Sequence, residues 1–324
     1  MAGRPMLRTP SSPQPEPIAL RPVVPPPPPA CDLTRVRVGV AGWAYPDWKG
    51  LVYPAKAGRD FEPLSFLARK FRVLEVDSTF CQTPEPARTA EWARKVADFP
   101  EFRFSVKLFR GFTHARKASL ADERAFHRAL DPLVRYNRLC AVLVQWPWSF
   151  KDTPESRKAL EELLSRFSAY PLVVELRHAA WAKGDVLAVL RERGAAFCNI
   201  DQPSLAQCLG PTSAVTAELA YFRFHGRNAA AWFREGAGRD ARYDYLYGAD
   251  ELAPWAEAVR EASGMAREVA VIFNNHFRGK AVANAFQFQH ALSGERQPVP
   301  AELIGAYPSL EPASSTVFQR ALFG

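Results

Sequence analysis

Tyr221-Phe222-Arg223-Phe224-His225-Gly226-Arg227-Asn228 opens as a strict alternation of ring and charge. In a strand, Phe222 and Phe224 share one face, while Tyr221, Arg223 and His225 share the other. A surface strand would turn its charges to water. In a closed parallel barrel the second face is the interior, so Arg223 and His225 point into the barrel mouth, ahead of Gly226 and a polar loop. The remainder of the chain decides between the two settings.

Seven other stretches have the same character. Short runs rich in Val, Ile, Leu or Phe, at residues 36–41, 73–77, 102–107, 141–145, 172–176, 196–201 and 269–273, join 220–225 to make eight. Each ends in polar, Gly or Pro residues, which is the strand signal of βα units. Helical patterns lie between them, at 62–71, 86–97, 119–137, 153–167, 182–193, 250–263 and 278–292. Ser119 and Asp122 form a relative of the capping box, and Thr153-Pro154-Glu155 supplies a cap with Pro at the first helical position. Only the segment between Asp201 and Ala220 lacks an obvious helix, and a short one is expected at 203–209. Eight β and α units in alternation imply a parallel sheet, and at this length a (β/α)8 TIM-like barrel. A doubly wound sheet is disfavoured, because Gly39-Val40-Ala41-Gly42 does not form the glycine fingerprint that such a sheet places after strand one.

The chain of 324 residues is 48% hydrophobic and 23% charged, the composition of a soluble globular protein. Residues 35–324 read as the single barrel domain. Residues 1–34 read as a separate tail, dense in proline up to Pro25 through Pro29. It holds too little apolar surface to offset the entropy of ordering, and so is expected to be disordered or polyproline II. A proline-binding partner could dock on it. The tail has no apolar core of a secretory signal, and no apolar run spans a membrane. Cys31, Cys81, Cys140, Cys198 and Cys208 form no C-x-x-C pair, which suits a reducing, cytoplasmic compartment and offers no structural zinc. The formal charge of +8 allows an anionic partner, a small molecule or a nucleic-acid fragment.

Strand parity sorts the side chains. The helix-facing set is expected to be Leu74, Val76, Phe104, Val106, Val174, Leu176, Cys198, Ile200, Phe222 and Phe224. The opposite set holds Glu75, Asp77, Ser105, Lys107, Gln145, Glu175, Arg177, Asn199, Asp201, Arg223 and His225. Charges inside a barrel must be paired or serve a site, and active sites of this fold lie at the C-terminal strand ends. Three chemistries compete for these groups. Glu175, Asp201, His225 and His178 could bind a metal, although no local spacing supports it. Asp77 and Glu175, with Lys107 or His225, could do acid–base work. Arg223, Arg227, Lys107 and Arg177 could capture an anion. The stretch 232–247 interleaves Arg with Trp, Phe and Tyr, a pattern suited to stacking on bases or to a lid over the mouth. No metal and no cofactor is expected. Arg223 is predicted to lie one layer deeper than His225 and to pair with Glu175 or Asp201. His225 is predicted at the rim, free to change charge near neutral pH.

At these residues the chain resembles the domain-of-unknown-function-72 family, also called YecE-like. The matching pieces are Gly39-Val40-Ala41-Gly42-Trp43-Ala44-Tyr45 with Trp48-Lys49-Gly50, Glu75-Val76-Asp77-Ser78-Thr79-Phe80, and Lys107 with Thr113-His114. Val144-Gln145-Trp146-Pro147, Val174-Glu175-Leu176-Arg177-His178, the opening octapeptide with Trp232, and Phe273-Asn274-Asn275-His276 complete the set. The resemblance implies a TIM-like barrel and no established reaction. It suggests DNA or sugar-phosphate chemistry only by analogy of fold with endonuclease-IV-like and xylose-isomerase-like barrels. Cys81 and Gln82 stand where the family usually has Tyr and Arg. With the strand-face reading, it places Asp77, Lys107, Glu175 and His225 as catalytic candidates. Trp43, Tyr45, Thr79, His114, Gln145, Arg177, His178, Asp201, Arg223, Arg227, Asn228, Asn274, Asn275 and His276 are the ligand-binding candidates. The expected function is a metal-independent enzyme or ligand-binding barrel for an anionic small molecule or nucleic-acid fragment. The alternatives are a metal-dependent phosphodiesterase or endonuclease and a non-catalytic nucleic-acid-binding adaptor.

Overall fold

Each apolar run pairs in parallel with the next, and the eighth pairs with the first, in a computed structural model of the chain. The structure describes residues 33–182, 184–234, 236 and 238–316. Almost all of the tail expected at 1–34 lies outside them. The strands are β1 (Val36–Ala41), β2 (Val73–Val76), β3 (Arg103–Lys107), β4 (Leu139–Gln145), β5 (Leu172–Glu175), β6 (Ala196–Asp201), β7 (Leu219–Phe224) and β8 (Glu268–Phe273). The main helices are α1 (Pro63–Ala68), α2 (Pro86–Lys95), α3 (Leu120–Arg135), α4 (Pro154–Arg166), α5 (Gly184–Glu192), α6 (Ala249–Met265) and α7 (Lys280–Ser293). This is the closed eight-stranded TIM-like barrel read from the sequence.

Local chemistry fixes the helix starts. Ser119 and Asp122 close a full capping box on α3, and Thr153 accepts from the Ser156 amide at the head of α4. The expected helix at 203–209 is not formed. The backbone there pairs with the exit of β5 instead: Ala179 N donates to Gln207 O at 2.8 Å, and Leu209 N to Arg177 O at 2.8 Å. Gln202 Nε2 adds bonds to the Arg177 and Leu209 carbonyls. A helix would have to break all of these.

Phe222 and Phe224 face outward, as their alternation requires, and pack on Trp255 of α6 with ring centroids 6.1 and 5.3 Å away. Burial of each phenyl stabilises the barrel wall by roughly 1.5–3 kcal/mol. At β6 the structure reverses the sequence reading. In register, Cys198 sits beside Tyr221 and Ile200 beside Arg223, while Asn199 pairs with Phe222 and Asp201 with Phe224. Neighbours in register on parallel strands share a face, so Cys198 and Ile200 point inward and Asn199 and Asp201 outward.

The interior closes tightly at its lower end. Arg37 of β1 reaches Glu268 at 3.2 Å and also donates to the Glu101 carbonyl. Above it Gly39 meets β2 so closely that a Cβ there would stand 1.7 Å from the Val73 carbonyl oxygen. Only glycine permits that approach.

Candidate functional site

Arg223 is the hub of the upper interior, and its side chain is 1% exposed. Its Nε lies 3.1 and 3.0 Å from the two carboxylate oxygens of Glu75, and Nη2 also bonds Glu75. Nη1 lies 3.0 Å from Glu175 Oε2 and 3.3 Å from Gln145 Oε1. Tyr221 Oη sits one layer down, 3.0 Å from Glu75 Oε2 and 2.8 Å from Ser105 Oγ. With one proton, it donates to the carboxylate and accepts from the serine. The deeper placement of Arg223 follows the sequence reading. Its hydrogen-bonded acids are Glu175 and Glu75, with Asp77 Oδ1 at 3.7 Å, whereas Asp201 is not among its partners.

His225 is completely buried, not a rim residue. Asn274 Nδ2 lies 3.1 Å from its Nδ1, so the ring proton belongs on Nε2, facing Glu175 Oε1 at 3.3 Å. Arg177 and Arg223 each bring a guanidinium nitrogen to 3.4 Å from that same Nε2. Burial pushes the His225 pKa down to about 3 against the support of Glu175, with Arg177 and Arg223 acting in the same direction as burial. His225 is therefore neutral at physiological pH, which corrects the expectation of a titrating rim histidine. Burial pushes the Glu175 carboxyl up, but Arg177 and Arg223 outweigh it and hold it well below the usual carboxylate range. For Glu75 burial prevails over Arg223, with the charge of Asp77 adding to it, and the net direction is upward.

A second tier is open to solvent. Lys107 is 11% exposed and Asp77 31%, with Nζ 3.5 Å from Oδ1. Burial raises the Asp77 carboxyl, and Lys107 and Arg223 more than reverse this. Lys107 also lies 4.3 Å from the centroid of the Phe80 ring. Arg177, 15% exposed, is anchored to Glu175 through Nε at 2.6 Å and lies 5.9 Å from the Trp232 ring. Burial lowers the His114 pKa to about 4, and the positive charges of Lys107, Arg177 and Arg110 add to the shift. Rings close the rim. Tyr45 stacks on His276 at 4.4 Å, and Tyr243 stands 5.3 Å from His276 and 6.3 Å from His225.

The structure thus brings together Asp77, Lys107, Gln145, Glu175, Arg177, Arg223, His225 and Asn274, with Tyr45, His114 and His276 around them. Other candidates from the sequence hold loops instead. Asp201, turned outward, accepts from Arg227 (Nη2, 2.6 Å), Tyr247 Oη (2.7 Å) and Trp255 Nε1 (2.9 Å). Arg227 is shared with Glu251. Asn228 donates to the Ala241 and Asp244 carbonyls, and Asn275 to Tyr245 O and Asn284 Oδ1. Thr79 donates within the β2–β3 exit, 2.9 Å from Val76 O and 2.6 Å from Lys107 O. Trp43 leaves the mouth for Trp92 and Phe104. His178 Nδ1 accepts from the Ala180 amide, and its ring packs on Trp148. Glu75, a mouth-facing acid in the sequence but not a site candidate there, proves the main partner of Arg223. Its signal was its position two residues before Asp77 on one strand face. Tyr221 could have been found the same way.

The four metal-ligand candidates of the sequence do not converge, since Asp201 is on the other side of the sheet from Glu175 and His225. Among the described residues no group of three or more His, Cys, Asp or Glu side chains is arranged to hold a metal ion. Among the same residues no helix is long and apolar enough to cross a membrane.

The family model for the protein of unknown function DUF72 matches residues 37–307. The UPF0759 protein YunF of Bacillus subtilis (strain 168) is 29% identical over 276 residues, 80% of this chain and 95% of that protein. A crystal structure of a DUF72 family protein from Thermotoga maritima is 35% identical, with a TM-score of 0.70 over 79% of this chain and 98% of that one. One from Enterococcus faecalis is 29% identical, with the same TM-score, over 79% of this chain and 95% of that one. By sequence match, strand order and three-dimensional similarity together, the chain belongs to the DUF72 family.

Proposed function

We propose that the barrel is a metal-independent enzyme or ligand-binding barrel that takes an anionic small molecule, or the phosphate end of a nucleic-acid fragment, at its C-terminal mouth. The observation that carries this reading is a pair of cations, Lys107 and Arg177, that stand partly exposed on the floor of the mouth. Arg177 is held in place by Glu175, so its outer guanidinium nitrogens are pre-aimed and cost little further ordering on binding.

The metal-dependent alternative fits the donor set less well. A dication between Glu75 and Glu175 would have to displace Arg223, or share a buried space with its fixed positive charge. Metal content after chelator dialysis separates the two, because stoichiometric retained zinc or manganese would favour the phosphodiesterase reading. The adaptor alternative predicts salt-dependent oligonucleotide binding without turnover.

Thermal unfolding with inorganic phosphate at constant ionic strength tests the main reading. Phosphate should raise the Tm of the full chain, and Arg177→Met should abolish the rise. An equal rise with chloride, or an undiminished one in Arg177→Met, would remove the mouth as the anion site.

A further inference from the structure

The floor of the mouth carries three cations, and they are not chemically equivalent. Arg177 and Arg223 are guanidiniums, which stay protonated in proteins and do not act as nucleophiles. Lys107 is a primary amine, the one of the three that carries a nucleophilic lone pair once it gives up a proton. Its Nζ has a carboxylate oxygen of Asp77 at 3.5 Å on one side and the face of Phe80, 4.3 Å to the centroid, on the other. Its side chain is almost enclosed yet still open to the mouth, at 11% exposure. Thr79 Oγ, 2.6 Å from the Lys107 carbonyl oxygen, fixes the strand end from which the side chain projects.

We infer that Lys107 is an imine-forming nucleophile toward an anionic carbonyl compound, an aldehyde or ketone bearing a phosphate or carboxylate. The inference rests on the anion-binding reading above, and assigns the anion to Arg177 and the carbonyl carbon to Lys107. The uncharged amine adds through its lone pair to the carbonyl carbon. The C–N bond forms as the C=O π pair moves to oxygen. The Asp77 carboxylate takes the surplus proton from nitrogen and passes it to the alkoxide, giving the carbinolamine, and then carries the second nitrogen proton to the hydroxyl, which leaves as water as the C=N bond forms. Carbonyl and amine give imine and water, with no change in oxidation state. Asp77 suits this proton shuttle because it is partly exposed and lies within reach of Nζ; Arg223 stands 3.7 Å from its Oδ1 without a hydrogen bond, whereas Glu75 and Glu175 are hydrogen-bonded to Arg223.

Pyridoxal 5′-phosphate, an anionic aldehyde, is the probe. The full chain is treated with a substoichiometric amount, the imine is reduced with borohydride, and the labelled peptide is mapped. Lys107 should carry most of the label despite the greater exposure of Lys56, Lys117 and Lys158. Inorganic phosphate should compete, Lys107→Arg should lose the label, and Asp77→Asn should slow labelling by about ten-fold or more. Label spread over the exposed lysines with Lys107 unmodified overturns the inference. In that case a phosphate-induced Tm rise that persists in Lys107→Arg leaves the anion-binding reading standing. If phosphate neither stabilises the protein nor competes for labelling, both fall.

Discussion

Arg223 grips Glu75 side-on, with Nε 3.1 and 3.0 Å from its two oxygens, while Nη1 of the same guanidinium reaches Glu175 at 3.0 Å. One buried cation from β7 therefore ties together the ends of β2 and β5 across the barrel. Truncation to Arg223→Met leaves the buried Glu75 without its guanidinium partner and Glu175 with Arg177 alone. Stability should fall by roughly 3–5 kcal/mol. Adding Glu75→Gln in the same chain should recover part of the loss. Urea unfolding of the single and double variants checks this, and a single-variant loss below about 1 kcal/mol would contradict the hub.

His225 links the same cluster to pH. Its folded pKa of about 3 lies below the ordinary value of 6.5. Between those values the unfolded chain takes up a proton that the folded chain refuses, so stability is present above pH 6.5 and is lost as pH falls toward 3. From pH 7 to 5 this one group should cost about 2 kcal/mol. His114, lowered to about 4, adds in the same direction. The stability lost between pH 7 and 5 should therefore be smaller in His225→Gln than in the unsubstituted protein. Equal acid sensitivity of the two would mean that His225 is not held neutral.

Asp201 should behave as a structural residue. Asp201→Ala strands the Trp255 indole N–H, the Tyr247 hydroxyl and part of Arg227, and should lower stability by about 3 kcal/mol. The phosphate-induced Tm rise should survive. Its disappearance in a folded Asp201→Ala protein would return Asp201 to the ligand site.

Gly39→Ala is expected to be among the most damaging single-methyl changes in the chain. The added Cβ would meet backbone, the Val73 carbonyl oxygen, at 1.7 Å, so β1 and β2 would have to part. A loss above about 3 kcal/mol, or failure to fold, is expected. Normal thermal unfolding of Gly39→Ala would show that the interior is looser than this spacing.

The strands were legible because burial on both faces leaves short apolar runs with polar ends, and the helices because of their period and caps. The polar cluster at the mouth was legible wherever one strand face is clearly polar, as at Glu75 and Asp77 or at Arg223 and His225. Ala196-Phe197-Cys198-Asn199-Ile200-Asp201 gave no such signal. Cys198 and Ile200 suit either face, so the two polar residues decided the parity, and wrongly. The facing of β6 is fixed by the pairing of Cys198 with Tyr221, a long-range fact that local composition does not carry. The rim position expected for His225 failed for a related reason. Distance along a strand sets depth, but the side chains of other strands and the loop carrying Tyr243 decide what stays wet. The helix expected at 203–209 was lost to backbone pairing with the β5 exit, which is also non-local.

The outward turn of Asp201 separates two tasks that a barrel usually mixes at its strand ends. The hydrogen-bonded mooring of the loop after β7 runs behind the wall, through Arg227, Tyr247 and α6, while Tyr243 and Trp232 meet the cavity through ring contacts. Residues of that loop facing the cavity, Tyr243 and Trp232 among them, are then free to be exchanged without loosening its anchorage. The cavity lining can drift in front of the wall while the architecture stays fixed at its back.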